Sequence, residues 1–168
     1  MAGLSGPRAG RVEKSLLATL GSMPRARTRQ RASSRSCRVL LVEDDDAFAA
    51  ALTELLEAGG RVTVAGRASD GREGVELAEA LRPDVVLMDI VLPVMDGVEA
   101  TREIRRRHPT IPVVGITGSE YEERALEVRE AGAVDFVGKG RLGPDLVEIV
   151  VAAAHHRPRR GRGRLTRG

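Results

Sequence analysis

The sequence predicts an α/β fold in which a mainly parallel sheet of five strands carries helices on both faces. Short apolar runs alternate five times with segments of helical periodicity. Several runs are continuously apolar, which is typical of parallel strands buried on both faces, and a dozen or so residues separate them, enough for a helical crossover. With 168 residues, 42% apolar and 30% charged, we expect one globular core.

The first two strand–helix units occupy residues 39–81. Residues 39–42 form an apolar strand that ends on an acidic cluster, and the helix after it stops at Gly59 and Gly60. Its apolar positions recur at helical spacing: Phe48, Ala51, Leu52, Leu55 and Leu56. Residues 62–65 are the second strand. Asp70 and Glu73 form a capping-box pattern that opens the second helix, and Pro83 ends it.

Three further units follow. Residues 84–89 are the third strand, and the turn signal at residues 96–97 precedes a helix that ends at residues 108–109. Residues 111–117 are the fourth strand, and a second capping-box pattern at residues 119–122 opens the next helix. Residues 133–137 are the fifth strand. Pro144 then occupies the favoured first position of a last helix.

Charge divides the chain into three parts. Residues 1–37 carry eight Arg or Lys and one Glu, a net charge of +7, and residues 155–168 carry six Arg and no acid. The stretch between them holds 13 basic and 23 acidic residues, a net charge of −10. The basic ends lack apolar periodicity, so we expect a disordered extension over residues 1–36, a folded domain over 37–155 and a disordered tail over 156–168.

Composition excludes several classes of protein. Two Phe, one Tyr and no Trp disfavour a protein that binds nucleic acid by base stacking. One cysteine allows no internal disulfide, and we expect Cys37 to be an inert residue at a strand entrance. His108, His155 and His156 are interpreted as solvated surface that carries no site. No apolar run approaches the roughly 20 residues of a membrane span, and a convincing secretory signal is lacking, so we expect a cytoplasmic protein that does not bind membranes.

Acidic, hydroxyl and ammonium groups follow four of the predicted strands. Residues 43–45 come after the first strand, Asp89 ends the third, Thr117 ends the fourth and Lys139 follows the fifth. Parallel strands place these ends on one edge, where such sheets bind ligands. Clustered carboxylates need a counter-charge, which Mg²⁺ supplies, and one carboxylate can then act as a nucleophile towards phosphate.

Each of these residues alone also has a structural explanation. Asp44 to Asp46 can cap the first helix, Thr117 can be a buried β-branched residue, and Lys139 can be solvated surface. These explanations do not account for the convergence of all four strand ends. Convergence therefore favours a metal and phosphate site.

Four blocks of sequence carry a resemblance to a known family. They are residues 41–45 (LVEDD), 85–97 (VVLMDIVLPVMDG), 111–118 (IPVVGITG) and 131–139 (AGAVDFVGK). In order and spacing they resemble the bacterial response-regulator receiver domain, over about residues 37–155, and most of all the receivers of LuxR- and NarL-type regulators. The resemblance implies a flavodoxin-like, doubly wound (βα)5 fold with strand order 2-1-3-4-5.

The same resemblance implies a metal and phosphate site. Asp89 matches the phospho-acceptor, and Glu43 and Asp44 match the acidic pair around Mg²⁺. The main-chain carbonyl of Val91 matches a further metal ligand. Asp45 is an additional acid that we do not expect to be a direct ligand.

The resemblance also implies a conformational switch. Thr117 matches the switch hydroxyl, Phe136 matches the aromatic residue that changes packing on phosphorylation, and Lys139 matches the lysine that pairs with the phosphate. Phe136 can equally be an ordinary core residue. Gly140 replaces the usual proline, so a cis peptide is not expected there. We therefore predict a looser loop and a less well-positioned Lys139. Gly118, a small residue, leaves phosphate access open.

These observations predict a stand-alone receiver in a two-component phosphorelay. We expect a sensor histidine kinase or phosphotransfer protein to phosphorylate Asp89, and the output to be altered binding of a downstream protein, with a weak homodimer as a further partner. The protein would be a switch, with no enzymatic activity beyond its own phosphotransfer and dephosphorylation. No helix-turn-helix follows Ala154, so sequence-specific DNA binding is not expected.

Alternative functions differ in their chemistry. A pseudo-receiver would keep the fold as an interaction module without phosphoryl turnover, and Gly140 is its only sequence signal. A phosphohydrolase of the haloacid-dehalogenase type needs a second Asp two residues after the nucleophile, where Val91 stands. The basic ends have three interpretations: an extension without function (with translation starting at Met23 as one form of it), contact with nucleic-acid phosphates, or masking of the acidic domain.

Overall fold

The computed structural model describes residues 35–118 and 124–155, in which five strands alternate with five helices. The strands are β1 Cys37–Val42, β2 Val62–Ala68, β3 Val85–Asp89, β4 Val113–Thr117 and β5 Asp135–Gly138. The helices are α1 Asp46–Glu57, α2 Gly71–Leu81, α3 Gly97–Arg107, α4 Arg124–Glu130 and α5 Pro144–His155, and a 3₁₀ turn spans Lys139–Arg141. Residues 1–34, 119–123 and 156–168 lie outside the described residues, and with them most of the predicted extension, the whole predicted tail and the second capping-box pattern.

The sheet has the order β2-β1-β3-β4-β5, and all four neighbouring pairs are parallel. The predicted α/β class and the 2-1-3-4-5 order are confirmed. β2 is longer than predicted and reaches Ala68, because an irregularity in the register with β1 at Val39 and Leu40 lets pairing continue. None of the described helices is long and apolar enough to cross a membrane.

Apolar residues of the central strands are buried on both faces of the sheet. Val39 and Leu41 pack with α1 and α5, whereas Leu40 and Val42 pack with α2 and α3. All four are completely buried, so each contributes on the order of 1.5–3 kcal/mol through the hydrophobic effect. Burial on both faces explains why the sequence shows a continuous apolar run in place of an alternating one.

Aspartates begin three of the helices. Asp45 caps α1, Asp70 caps α2 and Asp96 caps α3, each accepting hydrogen bonds from main-chain N–H groups of the first turn. The predicted capping box at α2 is only half formed. Glu73 accepts from the main-chain N–H of Ser69 at 2.8 Å and not from that of Asp70, so the chain is tied down one residue earlier than the motif implies.

His108 differs from its predicted place on the surface. Its side chain is buried, with 7% of the residue exposed, because α3 ends there and carries the imidazole against the end of α2. The Arg82 guanidinium lies 3.1 Å from His108 Nδ1, and since a guanidinium can only donate, Nδ1 accepts. The interpretation of His108 as solvated surface was wrong. His155 is exposed, as expected, and His156 lies outside the described residues.

Candidate functional site

The register of the sheet brings the predicted site residues to one edge. Asp89 is the last residue of β3 and lies beside Ile116, one residue before the end of β4 at Thr117. Thr117 in turn lies beside Gly138, the last residue of β5, and Lys139 follows directly. Glu43 follows β1 and donates its main-chain N–H to Ala68 at the end of β2, 3.0 Å away. The carboxyl ends of the strands therefore converge as the sequence predicts.

Three carboxyl groups form a cluster at this edge. Oxygen atoms of Glu43, Asp44 and Asp89 lie within 4.8 Å of one another. Glu43 and Asp89 are buried, with 2% and 3% of each residue exposed, whereas Asp44 is exposed. Two unit negative charges about 4 Å apart repel by roughly 4 kcal/mol at an effective dielectric of 20. The cluster therefore attracts cations.

Lys139 supplies one positive charge to the cluster. Its Nζ lies 2.7 Å from Asp89 Oδ2 and 3.1 Å from Glu43 Oε1. Partial burial lowers the pKa of Lys139, but hydrogen bonds to Asp89 and then Glu43 outweigh that effect and raise it. The ammonium group is therefore charged beside Asp89 and Glu43, in a position from which it could donate to a phosphoryl oxygen on Asp89.

Glu43 is a buried acid with an electrostatic penalty. Desolvation raises the pKa of its carboxyl, the nearby charge of Asp89 raises it further, and Lys139 opposes both effects without cancelling them. Its Oε2 atom is buried and, among the described residues, accepts no hydrogen bond, although it lies 3.0 Å from Lys139 Nζ at an angle unsuitable for one. A buried carboxylate oxygen with spare capacity beside Asp44 and Asp89 fits a hard divalent cation.

Asp89 uses both of its oxygens in this structure. Oδ2 accepts from Lys139, and Oδ1 accepts from the main-chain N–H of Val91 at 3.1 Å. The backbone after β3 therefore folds back towards the Asp89 carboxylate. Val91, whose main-chain carbonyl the family resemblance implies as a metal ligand, thus lies close to the cluster. That ligand role stays a prediction.

The side chain of Asp45 is not part of the carboxyl cluster, although its main-chain N–H donates to Glu43 Oε1 at 3.4 Å. Its Oδ1 accepts from the main-chain N–H groups of Ala47 and Phe48, at 2.9 and 3.0 Å. The capping explanation of the acidic run thus applies to Asp45, whereas Glu43 and Asp44 belong to the carboxyl cluster that could hold a metal ion. Adjacent acidic residues therefore have different roles, one as a helix cap and the others in the carboxyl cluster.

Thr117 and Phe136, the predicted switch residues, line one cleft of about 780 Å³ between β4, β5 and α5. Thr117 is buried, with 2% exposed, and its hydroxyl donates to the Gly118 carbonyl at 3.0 Å. Phe136 is half-buried and packs against the cluster of Ile90, Val98, Val128 and Ala131. The Arg129 guanidinium lies 5.4 Å from the centre of its ring.

Lys139 is followed by Gly140 in place of the proline that the family resemblance implies. A Cβ at Gly140 would meet nothing within 4 Å, so there is space for a larger residue at this position, and the described residues contain no cis peptide bond. Even so, Lys139 reaches both buried carboxylates. Carboxylates after β1 and at the end of β3 contact its ammonium group, and the looser loop and the less well-positioned Lys139 stay predictions.

Phe48 is a neighbour of the site that the sequence did not reveal. Its ring centre lies 4.5 Å from Lys139 Nζ. Helical periodicity identifies Phe48 only as an apolar position of the first helix. The available signal was its place shortly after the acidic cluster, in a chain with only three aromatic residues.

Comparisons with known proteins agree with this geometry. A family model described as the response regulator receiver domain matches residues 39–151. The transcriptional regulatory protein LiaR of Bacillus subtilis is 38% identical over 122 residues, which cover 73% of this chain and 58% of LiaR. A protein-glutamate methylesterase/protein-glutamine glutaminase of Hahella chejuensis is 47% identical over 104 residues, which cover 61% of this chain but only 26% of that protein. The chain thus spans about a quarter to three fifths of these curated relatives.

Solved structures give the same result. The response regulator domain of Thermotoga maritima CheB superposes with a TM-score of 0.67 at 34% identity, covering 74% of this chain and all of that domain. The receiver domain of NarL from Mycobacterium tuberculosis superposes with a TM-score of 0.69 at 28% identity, covering 73% and 99% of the two chains.

Proposed function

Since the chain belongs to the response regulator receiver family of two-component systems, we propose that it works as a phosphorylation switch, with Asp89 as the phospho-acceptor. The supporting observation is the convergence of Asp89 with Glu43, Asp44 and Lys139 at one edge of the sheet. A lone carboxylate at a strand end would need neither a neighbouring acidic pair nor an ammonium group 2.7 Å away.

Glu43, Asp44 and Asp89 would hold Mg²⁺, together with the carbonyl of Val91. Bound there, Mg²⁺ would neutralise the carboxylates and phosphoryl oxygens so that an anionic nucleophile can approach an anionic donor. The spare Oε2 of Glu43 supports this assignment.

The donor would be a phosphohistidine on a sensor histidine kinase or phosphotransfer protein. A carboxylate oxygen of Asp89 forms a bond to phosphorus, the P–N bond to the imidazole breaks, and the imidazole nitrogen keeps the electron pair and takes up a proton. Lys139 moves its hydrogen bonding from Asp89 Oδ2 to a phosphoryl oxygen and stabilises the negative charge there. Hydrolysis of the aspartyl phosphate by water resets the switch.

The output would be a shift in population between two conformations. The Thr117 hydroxyl would turn towards the phosphoryl group, and Phe136 would change its packing in the cleft that the two residues share. The face formed by α4, β5 and α5 would then bind a downstream protein, or weakly a second copy, with altered affinity. We place this switch in the cytoplasm, where sensor kinases present their phosphohistidine.

A pseudo-receiver is the second candidate, favoured by Gly140 alone. Amide spectra recorded with Mg²⁺ and beryllofluoride, which mimics a phosphoryl group on aspartate, separate the two. A phosphorylation switch would show shifts at Thr117 and Phe136 that are lost in Asp89→Ala. Wild-type spectra that stay unchanged would support the pseudo-receiver.

A further inference from the structure

We propose that Phe48 is a positioning residue for Lys139, whose ammonium group it holds against the face of its ring. The inference rests on the proposed function, because Lys139 is the group that stabilises the phosphoryl charge there. Lys139 Nζ lies 4.5 Å from the centre of the Phe48 ring. A cation within about 6 Å of an aromatic ring centre is attracted by the negative face of the ring.

The ring is anchored independently of Lys139. The main-chain N–H of Phe48 donates to Asp45 Oδ1 at 3.0 Å as part of the α1 cap. The side chain is half-buried and packs against the core between the sheet, α1 and α5. The ring therefore lies at the carboxyl edge of the sheet, where Lys139 follows β5.

Lys139 needs such an anchor because its own backbone has little support. It begins a 3₁₀ turn, and the next residue, Gly140, is exposed and has no side chain that could pack against the domain. A four-carbon side chain attached to such a segment must be held at its tip. In this structure the tip contacts two carboxylates and one ring.

The ring differs from the carboxylates in one respect that matters for the reaction. Phosphorylation converts Asp89 into an acyl phosphate, so the oxygen that binds Lys139 can lose its negative charge. Phe48 carries no charge and takes no part in the bond changes. The attraction of the Phe48 ring for the ammonium group therefore persists after phosphorylation. Because the ring does not bind Lys139 through a carboxylate oxygen, the N–H groups of Lys139 remain able to donate to phosphoryl oxygens.

Two substitutions distinguish an effect of the Phe48 ring on Lys139 from an effect of apolar packing alone. Phe48→Leu keeps an apolar side chain but removes the ring, and Phe48→Tyr keeps the ring. Leu55→Ala is the matched control, since Leu55 lies two turns further along α1 and packs against the same core cluster. The first measurement is the chemical shift of the Lys139 Cε and Hε nuclei, which the ring current of Phe48 displaces.

The second measurement is the rate of phosphorylation by a small acyl phosphate with Mg²⁺. In that reaction an Asp89 oxygen bonds to phosphorus while the donor's P–O bond breaks and its carboxylate leaves. Phe48→Leu should lose the ring-current displacement and react about threefold more slowly, the loss expected for one partly exposed cation–π contact. Phe48→Tyr should retain both properties. Leu55→Ala should lower the melting temperature and change neither.

Lys139 signals that stay at their wild-type positions in Phe48→Leu would overturn the contact. Displaced signals with an unchanged rate would overturn its positioning role. A trifluorinated phenylalanine at position 48, which keeps the ring's shape but removes the negative charge of its face, replaces Phe48→Leu if that variant does not fold. A wild type that accepts no phosphoryl group would refute the proposed function instead, and the Lys139 signals would still decide whether Phe48 holds the ammonium.

Discussion

Gly97 lies so close to the main chain of Asp89 that a Cβ at Gly97 would overlap the Asp89 carbonyl oxygen far inside van der Waals contact. The main-chain N–H of Gly97 also donates to the carbonyl of Ile90 at 3.0 Å. The first residue of α3 is thus in direct contact with the end of the strand that carries the proposed phospho-acceptor. The glycine that the sequence shows as part of a turn signal is needed here because the backbones of α3 and β3 approach each other closely.

Gly97→Ala should therefore destabilise the fold and disturb the site together. The overlapping atoms belong to the backbone, which cannot move as cheaply as a side chain, so we expect the free energy of unfolding to fall by about 3 kcal/mol. Denaturant unfolding measures this change, and the rate of phosphorylation should fall in the same variant.

Gly143→Ala is the control for that prediction. A Cβ at Gly143 meets nothing within 4 Å and its φ is not positive, so the free energy of unfolding should change by no more than about 1 kcal/mol. A Gly97→Ala protein as stable as Gly143→Ala would show that the approach of α3 to β3 is looser than described.

Glu43→Gln should stabilise the metal-free protein at neutral pH. Desolvation, assisted by the charge of Asp89, raises the pKa of Glu43 above its ordinary value of 4.5, so its ionised form costs folding free energy at any pH above that raised pKa. As the pH falls below the raised pKa, the folded wild type takes up the proton, and the cost is lost progressively until the pH lies below the ordinary value. The advantage of Glu43→Gln should thus be largest near neutrality and shrink on acidification.

With Mg²⁺ bound, the wild type should become more stable than Glu43→Gln. Binding to the folded state at a concentration 100 times the dissociation constant stabilises the wild type by about 2.7 kcal/mol, whereas Glu43→Gln has lost a charged ligand and should gain less. Thermal unfolding at several pH values, with Mg²⁺ and with EDTA, measures both effects. An equal gain from Mg²⁺ in the two proteins would remove Glu43 from the metal site.

Cys37 should be nearly inert in the folded protein. Burial, and then the charge of Asp84, raise the pKa of its thiol to about 11, and the residue is only 9% exposed. Because the thiolate is the reactive species, alkylation at pH 8 should be on the order of 100-fold slower in the native protein than in urea. Comparable rates in the two states would mean that β1 opens readily at its first residue.

The fold class could be predicted from the sequence because the local signals agree with the elements that the structure shows. Apolar runs, the capping pattern at Asp70, the turn signal at residues 96–97, and the breaks at Gly60 and Pro83 mark the beginnings and ends of elements. Parallel connection then places the strand ends on one edge. The strand order came from the family resemblance, since periodicity does not show which strands are neighbours.

What the sequence did not predict depends on contacts between distant segments. The residue pattern left open whether the acidic run caps the helix or belongs to the site, and only the family resemblance set Asp44 apart from Asp45, which caps α1. The burial of His108 follows from the docking of α3 against Arg82. The contact between Phe48 and Lys139 joins residues that are far apart in the sequence.

Phosphodonor labelling of the wild type and of Asp89→Ala, each with Mg²⁺, tests the central claim most directly. Intact-mass analysis should show one phosphoryl group added to the wild type, and none when Mg²⁺ is replaced by EDTA or when Asp89 is alanine. Asp44→Ala should be labelled more slowly while remaining folded, since Asp44 is exposed and belongs to the acidic cluster. Equal labelling of the wild type and Asp89→Ala would contradict the assignment of Asp89.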